Sequence, residues 1–89
     1  GLYVLDEPEA ALSPQRQLAM MARLHDLVQQ RSQFVIATHS PFLMAYPDAR
    51  IYQIGDDGLQ ETAYEDTTHY AVTKTFFDNR ERYLDTLLA

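Results

Sequence analysis

The chain has 89 residues, against about 100–150 for an ordinary domain. Thirteen acidic side chains against seven basic ones leave a net charge of −6 and a pI near 4.7, which argues against a nucleic-acid or anionic-membrane surface because both reward clustered Lys and Arg. The 46% hydrophobic share is globular rather than disordered, and the absence of Cys excludes disulfides, thiolate metal sites and cysteine nucleophiles.

No apolar run approaches the roughly 18 residues that span a bilayer, so a cytoplasmic protein without membrane contact is expected. A chain this short buries only about 60–65% of its unfolded surface, which makes a self-sufficient fold marginal. Gly1 has no Met before it and runs straight into strand-like sequence, as in a piece of a longer chain.

Leu2-Tyr3-Val4-Leu5 is an unbroken apolar run that ends in Asp6-Glu7-Pro8. Continuous apolarity fits a strand covered on both faces, and Pro8 stops the ladder so that the two carboxylates sit at the strand's C-terminal end. Ser13-Pro14 starts a helix, Ser13 as N-cap and Pro14 in the first position. Met20, Met21, Leu24, Leu27 and Val28 form its apolar stripe, to about Gln30. Phe34-Val35-Ile36-Ala37 is a second strand, closed by Thr38-His39-Ser40-Pro41, and Phe42 to Tyr46 form a short helical turn. Ile51 to Ile54 form a third strand, Asp56-Asp57-Gly58 a turn, and Leu59 to Ala63 the antiparallel return. From Asp66 the pattern is helical, broken near Asp78-Asn79, with Asp78 and Glu81 at capping-box spacing. Tyr64, Tyr70, Phe76, Phe77 and Tyr83 are expected to be core of this tail. The fold class is α/β: parallel strands with a crossover helix, a β-hairpin and a C-terminal helical tail. Residues 1–65 form the α/β core portion and 66–89 the tail.

Two parallel strands joined by a helix end on the same edge of the sheet. Asp6, Glu7 and His39 therefore emerge together, although 32 positions separate Glu7 from His39. Ligands of open α/β sheets bind beyond that edge. A carboxylate there can hold Mg²⁺, a neighbouring Glu can orient water, and a His can donate to a phosphate oxygen. Other residues carry blander readings. His25 packs on the helix surface, His69 sits in a helix's first turn, and Asp56-Asp57-Gly58 lacks calcium-loop spacing. A triad of Ser40, His39 and Asp6 is rejected because adjacent residues point apart and no nucleophile elbow is present.

Leu2-Tyr3-Val4-Leu5-Asp6-Glu7-Pro8-Glu9-Ala10-Ala11-Leu12-Ser13-Pro14 closely resembles the Walker B strand and D-loop of ABC-type ATPases. Val35-Ile36-Ala37-Thr38-His39-Ser40-Pro41 resembles their switch-histidine strand. Glu-Pro-Glu, Leu-x-Pro and Thr-His-Ser-Pro look most like the bacterial non-transporter branch of AAA/ABC-type ATPases. The resemblance covers residues 2–41 well and the remainder loosely. It implies that Asp6 acts on Mg²⁺, that the catalytic pair is Glu7, positioning the hydrolytic water, and His39, contacting the γ-phosphate of ATP. Ala10 to Ser13 correspond to the D-loop, with Ser13 in place of its usual aspartate. It further implies that residues 1–89 are the C-terminal part of one ATPase domain, acting as a head-to-head homodimer. No G-x-x-x-x-G-K-[ST] loop and no signature loop occur here, and the only glycines are Gly1, Gly55 and Gly58. The chain alone is therefore expected to be inactive, the ATP being bound mainly by an upstream half. The competing expectation is a non-catalytic α/β interaction module that retains a Walker B relic.

Overall fold

The computed structural model describes every residue, Gly1–Ala89, and the chain divides into two compact units, Gly1–Ala49 and Arg50–Ala89. In the first, β1 (Leu2–Asp6) and β2 (Gln33–Ala37) pair in parallel with Leu2 opposite Gln33 and Asp6 opposite Ala37. The crossover is α1 (Pro14–Gln29). Its start is built as the sequence implies, with Pro14 in the first turn and the Ser13 hydroxyl accepting from the Arg16 N–H at 3.2 Å. Met20, Met21, Leu24, Leu27 and Val28 are all half-buried, so the helical stripe is real. Arg31 turns the chain at φ 68°, and the Ser32 N–H returns to the Leu27 carbonyl at 3.0 Å.

The expectation that the strands are covered on both faces does not hold in this chain. Tyr3 stacks on Phe34 with ring centroids 5.0 Å apart, and Leu5, Phe34 and Ile36 are half-buried. The opposite face carries Leu2, Val4 and Val35, all exposed, Val4 at 74%. One crossover helix shields one face of a two-stranded sheet and leaves the other open.

After β2, Ser40 caps the short helix α2 (Pro41–Met44), its hydroxyl accepting from the Leu43 N–H at 3.2 Å. Leu43, 7% exposed, is the only buried hydrophobic residue. His25 on α1 hydrogen-bonds the Tyr46 hydroxyl at 2.8 Å, which agrees with a surface-packing role.

The second unit begins with the hairpin of β3 (Tyr52–Gly55) and β4 (Gly58–Glu61), antiparallel with Gly55 opposite Gly58. Neither Asp56 nor Asp57 has a positive φ. The left-handed conformation falls on Gly58, at φ 99°, where the missing Cβ matters. A 3-10 turn at Tyr64–Asp66 precedes α3 (Thr68–Asp78), so the helix starts two residues later than the pattern implies. Thr67 is fully buried with its hydroxyl on the Tyr64 carbonyl at 2.8 Å, and the Gln53 amide oxygen caps α3 through the Thr68 N–H at 2.7 Å.

The chain breaks at Asn79 before α4 (Arg80–Leu87), but the capping box expected from Asp78 and Glu81 does not form. Asp78 turns back to Lys74 one helical turn earlier, at 2.5 Å, and Asn79 is the residue at the cap. Of the aromatic residues expected in the core, Tyr64 and Tyr70 pack at 4.4 Å and Phe76 meets Tyr83 at 5.7 Å, whereas Phe77 faces solvent. No helix is long and apolar enough to cross a membrane.

Because Leu43 is the one buried apolar side chain, Leu43→Ala should cost about 2–3 kcal/mol, the low end of Leu-to-Ala losses in cores. Ile54→Ala, at a site 85% exposed, should cost less than about 0.5 kcal/mol. Urea unfolding of the two variants measures the contrast, and equal losses would contradict this account of the core.

Candidate functional site

The parallel register fixes which loops meet. Asp6 ends β1 opposite Ala37, and the Glu7 N–H extends the ladder by one bond to the Ala37 carbonyl at 2.7 Å. The backbone then turns sharply, with Glu7 at φ 46°. Two tight turns follow, Ala10 N–H to the Glu7 carbonyl at 3.0 Å and Leu12 N–H to the Glu9 carbonyl at 2.9 Å, with Ala11 at φ 66°. Left-handed backbone costs an L-residue with a Cβ about 1–2 kcal/mol. Two such residues within five positions mark a loop whose conformation is imposed by its surroundings, a pattern that clusters at functional sites.

Glu7 and His39 are brought together: His39 Nε2 lies 3.1 Å from Glu7 Oε1. The two side chains are 53% and 66% exposed, so their pairing contributes no more than about 1 kcal/mol and both remain accessible to a ligand. Asp6 stands at the same edge, one residue before Glu7, with an exposed side chain. No group of three or more His, Asp and Glu gathers into a protein cage for a metal.

The residue that sequence reasoning missed is Glu9, which reads in the sequence as a favourable charge ahead of a helix. Its carboxylate instead accepts two hydrogen bonds from the loop after β2. The Thr38 hydroxyl donates to Oε1 at 2.6 Å and the His39 N–H donates to Oε2 at 3.0 Å. From Thr38 the bonding continues. Its hydroxyl accepts from the Ser40 N–H at 3.0 Å, the Ser40 hydroxyl donates to Gln17 Oε1 at 2.5 Å, and Gln17 Nε2 donates to the Leu12 carbonyl at 3.1 Å. The available signal was the repeated Ser-Pro at 13–14 and 40–41, which announces two capped helix starts close to the two strand ends. Nothing local in the sequence pairs Glu9 with Thr38.

Partial burial pushes the Glu9 carboxyl up. The Thr38 hydroxyl, Glu9's own N–H, the His39 N–H and charge on His39 outweigh it and hold the pKa below the ordinary glutamate value.

The stretch that builds this edge is also where the chain matches a known family. Residues 1–45 match the family described as "AAA domain, putative AbiEii toxin, Type IV TA system". The chain belongs to this family. It is a segment of an AAA-type P-loop ATPase domain, and the matched residues contain the whole edge at which Asp6, Glu7, Glu9 and His39 meet. No curated protein and no solved structure matches the chain at significant similarity.

The lowered pKa of Glu9 sets a pH dependence for this AAA-family segment. Its folded value lies below its unfolded value, so the stability it contributes is fully present above the unfolded pKa, near about 4.3. It is lost as the pH falls through the folded value. Wild type should therefore lose more stability between about pH 6 and about pH 3 than Glu9→Gln, which has no carboxylate to protonate. Urea titrations at the two pH values test this, and equal acid losses in both proteins would contradict it.

Proposed function

We propose that this segment supplies the hydrolytic edge of an ABC-type ATPase of the non-transporter branch. The observation that carries the reading is the 3.1 Å approach of Glu7 and His39 across 32 positions of sequence, at the carboxyl edge of a parallel strand pair. In this reading the phosphate cradle comes from elsewhere in the ATPase, since the chain has no glycine-rich loop with a Lys.

The residues fit Mg²⁺ as that ion is used in phosphoryl transfer. It needs one or two hard carboxylate oxygens, with substrate phosphates and water completing its shell, so a cage of three protein ligands is not required. Asp6 would hold it, directly or through water, and Mg²⁺ when bound supplies charge neutralisation at the phosphates. Glu7 then acts on water. Its carboxylate accepts a hydrogen bond and aims the oxygen at the γ-phosphorus. His39 donates an imidazole N–H to a γ-phosphate oxygen, where negative charge moves during transfer. Glu7 and His39 touch each other, and their exposure lets water and phosphate enter between them at little cost. Ala10 to Ser13 are assigned to the D-loop, facing a second copy across a head-to-head dimer. Ser13, already engaged as the cap of α1, replaces its usual aspartate.

In the ATPase that carries this segment, Glu7→Gln should lower hydrolysis by about 10²–10⁴, the usual worth of a positioned base, while ATP binding survives. Asp6→Asn should weaken Mg²⁺-dependent binding as well as turnover. His39→Ala should lower turnover with binding largely kept. Steady-state hydrolysis measured beside nucleotide affinity separates the three roles. Wild-type hydrolysis by Glu7→Gln would remove the catalytic assignment and favour a non-catalytic module.

A further inference from the structure

Asp6, Glu7 and His39 carry the proposed chemistry, yet it is Glu9 whose carboxylate engages the loop after β2 with both of its oxygens. One carboxylate oxygen accepts the Thr38 hydroxyl at 2.6 Å and the other accepts the backbone N–H of His39 itself at 3.0 Å. We infer that Glu9 is a positioning residue for His39, a two-armed clamp that sets where the imidazole stands relative to Glu7. The inference rests on the reading of His39 as a γ-phosphate donor.

The physical need for such a clamp follows from exposure. The His39 side chain is 66% exposed, and an exposed ion pair with Glu7 is too weak to fix an imidazole. A donor aimed at transferred phosphate must be held within a fraction of an ångström, and a backbone clamped at its own N–H contributes to that precision. Hydrogen bonds to an ionised carboxylate are about twice as strong as neutral ones, and both arms of Glu9 are of that kind.

The clamp is also anchored. Thr38 passes the connection to Ser40, which is 4% exposed, and Ser40 passes it to Gln17 on the first turn of α1. Gln17 closes the path on the Leu12 carbonyl, in the loop that carries Glu9. The loops after β1 and β2 are thereby tied to each other and to one helix. Glu9→Gln keeps one acceptor oxygen for the His39 N–H, but its NH₂ group makes the Thr38 hydroxyl accept instead of donate, and both arms lose the carboxylate's charge with little change in volume.

A double-mutant cycle in the ATPase that carries this segment distinguishes positioning from general bracing. Glu9→Gln should lower kcat by about 10- to 100-fold, the cost of a small misplacement, with KM for ATP changed less than about threefold. In a His39→Ala background the same change should cost no more than about twofold, because the group being positioned is gone. Thr38→Ser should behave like wild type and Thr38→Val like Glu9→Gln. Equal losses from Glu9→Gln in both backgrounds would overturn the proposal and leave Glu9 a structural brace.

If His39→Ala leaves hydrolysis unchanged, the donor reading of His39 fails, and the clamp is decided by hydrogen exchange on the 89-residue chain. Protection of the His39 amide should then fall about tenfold or more in Glu9→Gln with the Val35 amide unaffected. Unchanged His39 protection would overturn the clamp as well.

Discussion

The parallel pairing of β1 with β2 is the constraint from which the site follows. With Asp6 opposite Ala37, the ladder runs one bond further, from the Glu7 N–H to the Ala37 carbonyl, before both strands give way to loops. Those loops then start at the same height and must lie side by side. A register slip of one residue would send Asp6 and every apolar side chain of β1 to the other face. The α1 crossover stabilises the pairing through its half-buried stripe, and its start is fixed by Ser13 and Pro14. Chemistry-bearing residues 32 positions apart are thus brought within 3.1 Å by local decisions about where a strand stops and a helix starts.

The loop after β1 does not relax into a low-energy backbone. Glu7 and Ala11 both occupy left-handed conformations, and the loop after β2 is held to this one by the Glu9 carboxylate. The cost of such backbone has to be met by surrounding contacts. Here the contacts are hydrogen bonds rather than a large core, since Leu43 is the one buried apolar side chain and the face of Leu2, Val4 and Val35 is open. A polar relay through Thr38, Ser40 and Gln17 therefore shares the task of ordering the first unit with rather little buried hydrocarbon.

Much of this was legible in the sequence, for physical reasons that differ by element. The strands, α1 and its cap rest on short-range signals: an apolar run stopped by Pro8, a Ser-Pro start, apolar side chains at helical spacing. The hairpin rests on Gly58, which takes the left-handed conformation. The proximity of Glu7 and His39 was derivable because a crossover leaves two parallel strands ending on one edge. Long-range polar pairing was not legible. Glu9 bonds Thr38 across 29 positions, and no local rule distinguishes that from a helix-start charge. The failed capping box has a similar cause: Asp78 had a competing partner in Lys74, and spacing alone does not reveal which partner is preferred. The open strand face was also hidden, because continuous apolarity says what a strand is suited to bury and not what this chain provides to bury it.

In the proposed function, the edge built by Glu7 and His39 receives the γ-phosphate of ATP. A crystal structure of the ATPase that carries this segment, with Mg²⁺ and a non-hydrolysable ATP analogue, tests it most directly. The expected result is the terminal phosphate at this edge, Asp6 toward the metal, and the Glu7–His39 contact opened to admit phosphate and water. A nucleotide bound elsewhere, with the Glu7–His39 contact still closed, would contradict it.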